Sequence, residues 1–151
     1  MAISIELKWN ESLKFITETA DGRTLELNSA QKMEKAFTPM ELFLFALAGC
    51  TAMDVMWILE KQRQKVDKFE ISARGARREE DPKYYEEIEL EYKIGGRAIR
   101  KDAVERAIRL SQDKYCSVRA MVNSNVRLKI SYRILDPNGV EQVFSYTPSP
   151  E

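Results

Sequence analysis

One stretch constrains the fold of this chain more than any other. Residues 42–59 are apolar or small on nearly every side, and only Thr51 and Asp54 break the run. Just before it, Thr38 supplies a helix N-cap, Pro39 suits the first turn and Glu41 completes a Thr-x-x-Glu capping box. A helix therefore starts at residues 38–39 and runs to about residue 59. Its length matches a membrane span. Asp54 inside it, Glu41 at its start and the lack of a second span favour a helix enclosed by protein. A chain of 151 residues has little material to surround such a helix, so a partner subunit would help cover it.

The flanking sequence alternates. Residues 3–9 and 13–19 read as strands joined across Asn10-Glu11-Ser12, and Asp21-Gly22 turns the chain into a third strand at 23–28. A polar loop covers 29–37. After the long helix, 67–76 and 84–95 read as two strands around a charged turn. In the second, Ile88, Leu90, Tyr92 and Ile94 alternate with Glu87, Glu89, Glu91 and Lys93. Asp102 and Glu105 form another capping box, opening a helix whose inner face carries Val104, Ala107, Ile108 and Ser111. A short helix follows Cys116. Residues 126–134 alternate again, and Asp136-Pro137-Asn138-Gly139 turns into a last strand at 140–147. The order βββ-α-ββ-αα-ββ in one domain spanning 1–151 favours an α+β class with antiparallel sheet.

Composition removes whole classes of chemistry. The chain has no histidine, which excludes Ser-His-Asp triads, Cys-His dyads and His-ligated metals. Lys+Arg and Asp+Glu are both 24, so the surplus positive charge of a dedicated nucleic-acid binder is missing. Two cysteines, Cys50 and Cys116, are too few for a zinc site by themselves or for a secreted disulfide framework. The first residues lack the basic start and apolar run of a signal peptide, which reads as a soluble, cytoplasmic protein.

The candidate chemistry rests on few side chains. Cys50 sits mid-helix in Leu47-Ala48-Gly49-Cys50-Thr51-Ala52, where small neighbours allow close approach. It is either a buried packing residue or a reactive thiol that needs a cation or hydrogen-bond donor beside it. Cys116 falls at the N-terminus of the short helix, where the dipole favours a thiolate; otherwise it is a packing residue in the turn. The sequence separation of the two says nothing about whether they meet. Glu41 is explained by the capping box alone. Asp54, one turn after Cys50, needs a partner if buried, and its charge would raise the Cys50 thiol, which makes it a poor activator. Phe43, Phe45 and Trp57 are core residues or the lining of an apolar pocket.

Two motifs, in this order, resemble a known family. Thr38-Pro39-Met40-Glu41-Leu42 running through Leu47-Ala48-Gly49-Cys50-Thr51-Ala52-Met53-Asp54-Val55 is similar to the cysteine-bearing helix of the OsmC/Ohr proteins, the osmotically inducible and organic-hydroperoxide-resistance family. Lys114-Tyr115-Cys116-Ser117-Val118 resembles the family's second cysteine motif, and the element order agrees over nearly the whole chain. The resemblance implies antiparallel sheets wrapped around a long buried central helix in an intertwined homodimer, with active sites at the dimer interface.

It also implies a chemistry. Cys50 would be the peroxidatic thiol that cleaves a hydroperoxide O–O bond and becomes a sulfenic acid; Cys116 would resolve it to a disulfide; an external dithiol would reset the pair. Glu41 joins them as a catalytic candidate. The family's hydroperoxide reductases carry a glutamate directly after the proline and an activating arginine in the N-terminal hairpin. Here those places hold Met40, followed by Glu41, and Leu13-Lys14. Lys14 and Arg119 are the basic residues that could stand in. The expected partners are a second copy of the chain, a small-molecule hydroperoxide and a dithiol reductant, with no cofactor, metal, nucleic acid or membrane. The alternative is an OsmC-like ligand-binding or redox-sensing protein with weak turnover.

Overall fold

The capping box at Thr38 starts the long helix where the sequence placed it. In a computed structural model describing residues 2–29, 36–139 and 141–146, helix α1 spans Pro39–Lys61. The Thr38 hydroxyl accepts from the Glu41 backbone N–H at 3.1 Å, and the Glu41 carboxylate takes the Thr38 N–H at 2.8 Å and its hydroxyl at 2.9 Å. The chain falls into two compact units, Met1–Phe43 and Leu44–Glu151.

The first unit carries a three-stranded antiparallel sheet of β1 (Lys8–Glu11), β2 (Lys14–Glu18) and β3 (Thr24–Asn28), in that order. The Asp21-Gly22 turn works as expected: Gly22 sits at φ +84°, open to glycine, and its N–H closes onto Thr19 O at 2.8 Å. The first strand is shorter than the alternation indicated. Residues 3–7 form no strand among the described residues, and Ile3 is 88% exposed. An alternating segment becomes a strand only where a neighbour takes up its backbone groups and its apolar face. The polar loop expected at 29–37 falls mostly outside the described residues; its end, Phe37, bridges to Leu27.

The second unit is built on a four-stranded sheet in the order β4 (Val66–Arg77), β5 (Tyr85–Gly96), β6 (Arg127–Leu135), β7 (Glu141–Tyr146). Neighbours β4/β5 and β6/β7 are antiparallel, but β5 and β6 run parallel, Ile88 opposite Leu128 through Gly95 opposite Leu135. The fully antiparallel sheet expected from the element order is corrected here. Residues 97–126 form a helical crossover, which brings the chain back to the starting end of β5. That crossover contains α2 (Lys101–Leu110), a π-helical turn (Ser111–Tyr115) and α3 (Ser117–Met121).

Alternation decides which side of this sheet is core. Ile88, Leu90, Tyr92 and Ile94 of β5 and Ile130, Tyr132 and Ile134 of β6 are buried, with Val104, Ala107, Ile108 and Ser111 from the crossover, as their spacing predicts. Gly75 of β4 is required by close approach: a Cβ there would sit 2.3 Å from the Tyr85 ring. The capping box expected at Asp102 and Glu105 does not form. Arg100 holds the N-cap position, Gln64 Oε1 accepts its N–H at 2.9 Å, and Glu105 is taken instead by the Tyr132 hydroxyl. Asp102 lies in the first turn, paired with Arg100.

By length and composition α1 could cross a membrane. Its side chains describe another setting. Leu47, Thr51, Val55, Ile58 and Leu59 are buried within the chain, and Thr51 is hydrogen-bonded to residues of the sheet and the crossover. The opposite side is bare in one chain: Met53 is 74% and Trp57 51% exposed.

Candidate redox site

Helix geometry and one irregular turn assemble this site. Cys50, Thr51 and Asp54 are neighbours along the middle of α1, with Cys50 and Asp54 one turn apart on the same face. The π-helical turn after α2 supplies the other side. Its wider i→i+5 bond, from the Cys116 N–H to Ser111 O at 2.8 Å, presents Ser111 at one end and Cys116 at the other.

The two sulfurs and a carboxylate oxygen of Asp54 all lie within 4.8 Å of one another. Both thiols are free, Cys50 half-buried and Cys116 only 4% exposed. The two residues that sequence spacing could not connect are thus neighbours in space.

Cys116 caps α3, its sulfur accepting the Arg119 N–H at 3.3 Å. The expected dipole-favoured thiolate does not result. Burial pushes the Cys116 thiol up to about 12, helped by a hydrogen bond with Cys50 and the charge of Asp54, against the opposing pull of the Arg119 N–H. A five-residue helix offers a weak dipole, and desolvation outweighs it. The hydrogen bond raises Cys116 because it exists only while Cys116 keeps its proton.

Behind the sulfurs lies a buried polar chain. Tyr92 OH meets Thr51 Oγ1 at 2.6 Å, Thr51 Oγ1 meets Ser111 Oγ at 2.8 Å, and Ser111 Oγ donates to Asp54 Oδ2 at 2.9 Å. Gln112 Nε2 donates to Thr51 Oγ1 at 3.1 Å and to Tyr92 OH at 3.4 Å. Half-buried Asp54 has Ser111 as its partner. Sequence reasoning singled out Cys50 and Cys116 but gave no role to Thr51, Tyr92, Ser111 or Gln112. The available signal was a threonine and a carboxylate in an otherwise apolar helix.

The remaining candidates each have partners of their own. The Glu41 carboxylate is engaged by Thr38 at the start of α1, in the first unit, and those hydrogen bonds lower it from its ordinary value. Lys14 is paired with Glu26 at 3.1 Å. The Arg119 guanidinium donates to Val122 O at 3.3 Å.

A family model described as OsmC-like protein matches residues 32–131. The chain belongs to the OsmC family. It is 40% identical over 129 residues to protein YhfA of Escherichia coli strain K12, covering 85% of this chain and 96% of that one. A hypothetical protein from Aquifex aeolicus has a similar crystal structure, with a TM-score of 0.80, 39% identity and 90% and 98% of the two chains covered. The OsmC fold extends to an organic hydroperoxide resistance protein OsmC from Legionella pneumophila, at a TM-score of 0.66 and 18% identity over 87% of this chain and 98% of that one. That last likeness is one of fold. For this OsmC family member the paired thiols are compatible with hydroperoxide-related redox chemistry.

Proposed function

We propose that this protein is a thiol-dependent peroxidase that reduces organic hydroperoxides through a two-cysteine cycle. The observation that carries this reading is the meeting of Cys50 and Cys116 within 4.8 Å on separate elements, one thiol half-buried and the other enclosed. The more accessible sulfur, Cys50, attacks the O–O bond, releases the alcohol and becomes a sulfenic acid. Cys116 condenses with it, and an external dithiol restores both thiols by exchange. The apolar surroundings on α1 suit an organic rather than an ionic peroxide. Of the three residues named by the family resemblance, the cysteines carry the cycle, and we assign Glu41 to holding the start of the helix.

The cycle is proposed to run in a cytoplasmic homodimer. The bare side of α1 at Met53 and Trp57 and the unpaired alternation of residues 3–7 support a second copy as the missing cover. The test is hydroperoxide consumption with a dithiol reductant. Wild type should turn over repeatedly, Cys50→Ser should not, and equal rates in the two sink the reading.

One observation favours a second reading, a redox-sensing or ligand-binding protein. The charge next to the thiols is the carboxylate of Asp54, which opposes formation of a thiolate. A sensor consumes about one equivalent of hydroperoxide per chain in a dithiol-limited assay, whereas a peroxidase consumes many.

A further inference from the structure

The geometry points to a catalytic role for Asp54: it takes the proton of Cys116 when that thiol closes the disulfide with Cys50. The inference takes its oxidant from the peroxidase reading above, while the proton transfer holds for any reaction in which Cys116 attacks sulfur on Cys50.

Three features carry it. The first is position. An oxygen of Asp54 lies within 4.8 Å of both sulfurs, a separation that one intervening water spans. The second is polarity of the chain behind it. An ionised carboxylate only accepts. Ser111 therefore directs its single hydroxyl hydrogen to Asp54 Oδ2, Thr51 directs its own to Ser111, and Tyr92 directs its own to Thr51. Gln112 Nε2 feeds the same chain, an orientation that leaves Gln112 Oε1 without a hydrogen-bond partner among the described residues. A buried amide oxygen left unmatched is costly. Turning the amide over would face Oε1 with hydroxyls whose hydrogens are already committed toward Asp54. The chain ends in a single donor, Ser111, on one oxygen of a group with about four acceptor sites, so capacity remains for a thiol proton.

The third feature is need. Cys116 is held protonated by burial and by its neighbours, and a protonated thiol is a poor nucleophile. The ionisable groups pressing on it are Cys50 and Asp54 from α1, with Tyr92 of β5 in electrostatic range; the Arg119 guanidinium on α3 is directed to Val122 O. Asp54 is the member of this set that can receive a proton as a carboxylate.

The step balances. The Cys116 S–H bond breaks and its proton passes to Asp54. The Cys116 sulfur forms the S–S bond as the S–O bond of the Cys50 sulfenic acid breaks. The departing hydroxide recovers the proton from Asp54 and leaves as water. The Cys116 sulfur is oxidised, the Cys50 sulfur is reduced, and Asp54 ends as it began.

The test isolates Cys116 attack from peroxide chemistry. The reduced full-length protein is treated with 5,5′-dithiobis(2-nitrobenzoate), which reaches the more exposed Cys50 first. Attack by Cys116 then releases a second thionitrobenzoate, and Cys116→Ser, which cannot attack, gives only the first. Asp54→Asn keeps an acceptor for Ser111 and removes the base. The expected result is second release slowed by at least about tenfold at pH 7, with a rate that climbs about tenfold per pH unit in the variant and more gently in wild type. If Asp54 acted only through its charge, removing it would ease ionisation of Cys116 and make second release faster. An equal or faster rate in Asp54→Asn overturns the inference. Ser111→Ala, which loses the group that aims Asp54, should slow second release severalfold; should Asp54→Asn not fold, an unchanged or faster rate here is the overturning result. A parallel sample exposed to cumene hydroperoxide separates the two ideas. Thiols that stay reduced there, alongside slowed release in Asp54→Asn, end the peroxidase reading and leave the role of Asp54 standing.

Discussion

Ser111 and Cys116 are the two ends of one π-turn, joined by the 2.8 Å bond from the Cys116 N–H to the Ser111 carbonyl. One of them anchors Asp54 and the other places its sulfur beside Cys50. An α-helical turn would rotate one of these side chains away from α1, so the irregularity is what lets both face the site.

The state of Cys116 should be visible in alkylation and in alkaline stability. Its thiol, 4% exposed and raised to about 12, should react with iodoacetamide at pH 8 at least about tenfold more slowly than Cys50, read by mass spectrometry of intact chains. The folded value lies above the unfolded thiol value of about 8.5. Stability from the protonated form is then fully present below about pH 8.5 and is lost as pH rises toward the folded value. Urea midpoints should fall between pH 8.5 and 10, and Cys116→Ser should flatten that fall. Equal alkylation rates for the two thiols contradict the buried, protonated Cys116.

Much of this arrangement was legible in the sequence, for reasons that differ by element. The start of α1 was readable because Thr38 and Glu41 satisfy each other locally. The buried face of β5 was readable because alternate residues must face opposite sides of a sheet. The parallel pairing of β5 with β6 was not, since strand direction is set by how the intervening crossover returns the chain. The Asp102 cap failed because the helix begins two residues earlier, with Arg100 at the N-cap and its N–H taken by Gln64, a residue distant in sequence. The meeting of Cys50 and Cys116 came from family resemblance, because spacing carries no information about a contact made through tertiary packing. The proposed role of Asp54 was not legible, because the charge argument in the sequence concerned Cys50, and the placement of Asp54 beside Cys116 is made by tertiary packing.

The polar chain should be a stability element centred on Thr51. Thr51 is fully buried and is the junction for Tyr92, Ser111 and Gln112. Thr51→Val preserves the shape but takes away the acceptor of the Tyr92 hydroxyl hydrogen, and should cost about 1–3 kcal/mol in urea unfolding. Tyr92→Phe leaves Thr51 its bonds to Ser111 and Gln112 and should cost less, about 1 kcal/mol. The double variant should lose less than the sum, because both changes remove one shared bond. Strict additivity would show that the chain does not act as a unit.

Glu41 should reveal its capping role in acid. Hydrogen bonds from the Thr38 N–H and hydroxyl hold its carboxyl below the ordinary range in the folded protein. The contribution is present above the unfolded value of about 4.3 and is lost as pH falls through the lower folded value. Glu41→Gln should therefore lower the thermal midpoint at pH 7 and narrow the gap to wild type below pH 4. Hydroperoxide turnover at pH 7 and at a temperature well below both midpoints should stay within about twofold of wild type. A large loss of turnover there, with the midpoint unchanged, would move Glu41 from the helix cap to the chemistry.

The bare side of α1 gives a prediction about assembly. Met53 is 74% exposed in the chain, so a charge there disturbs little inside one subunit. In the proposed dimer the same residue is covered, and an isologous two-fold contact counts each substitution twice. Losing the burial of a methionine on both copies removes about 3–6 kcal/mol, which weakens association by roughly 10²–10⁴-fold. Sedimentation equilibrium should show wild type as a dimer at micromolar concentration and Met53→Glu shifted toward monomer, with far-UV circular dichroism unchanged. Wild type sedimenting as a monomer, or a variant that associates as tightly as wild type, would remove the second copy as the cover for α1.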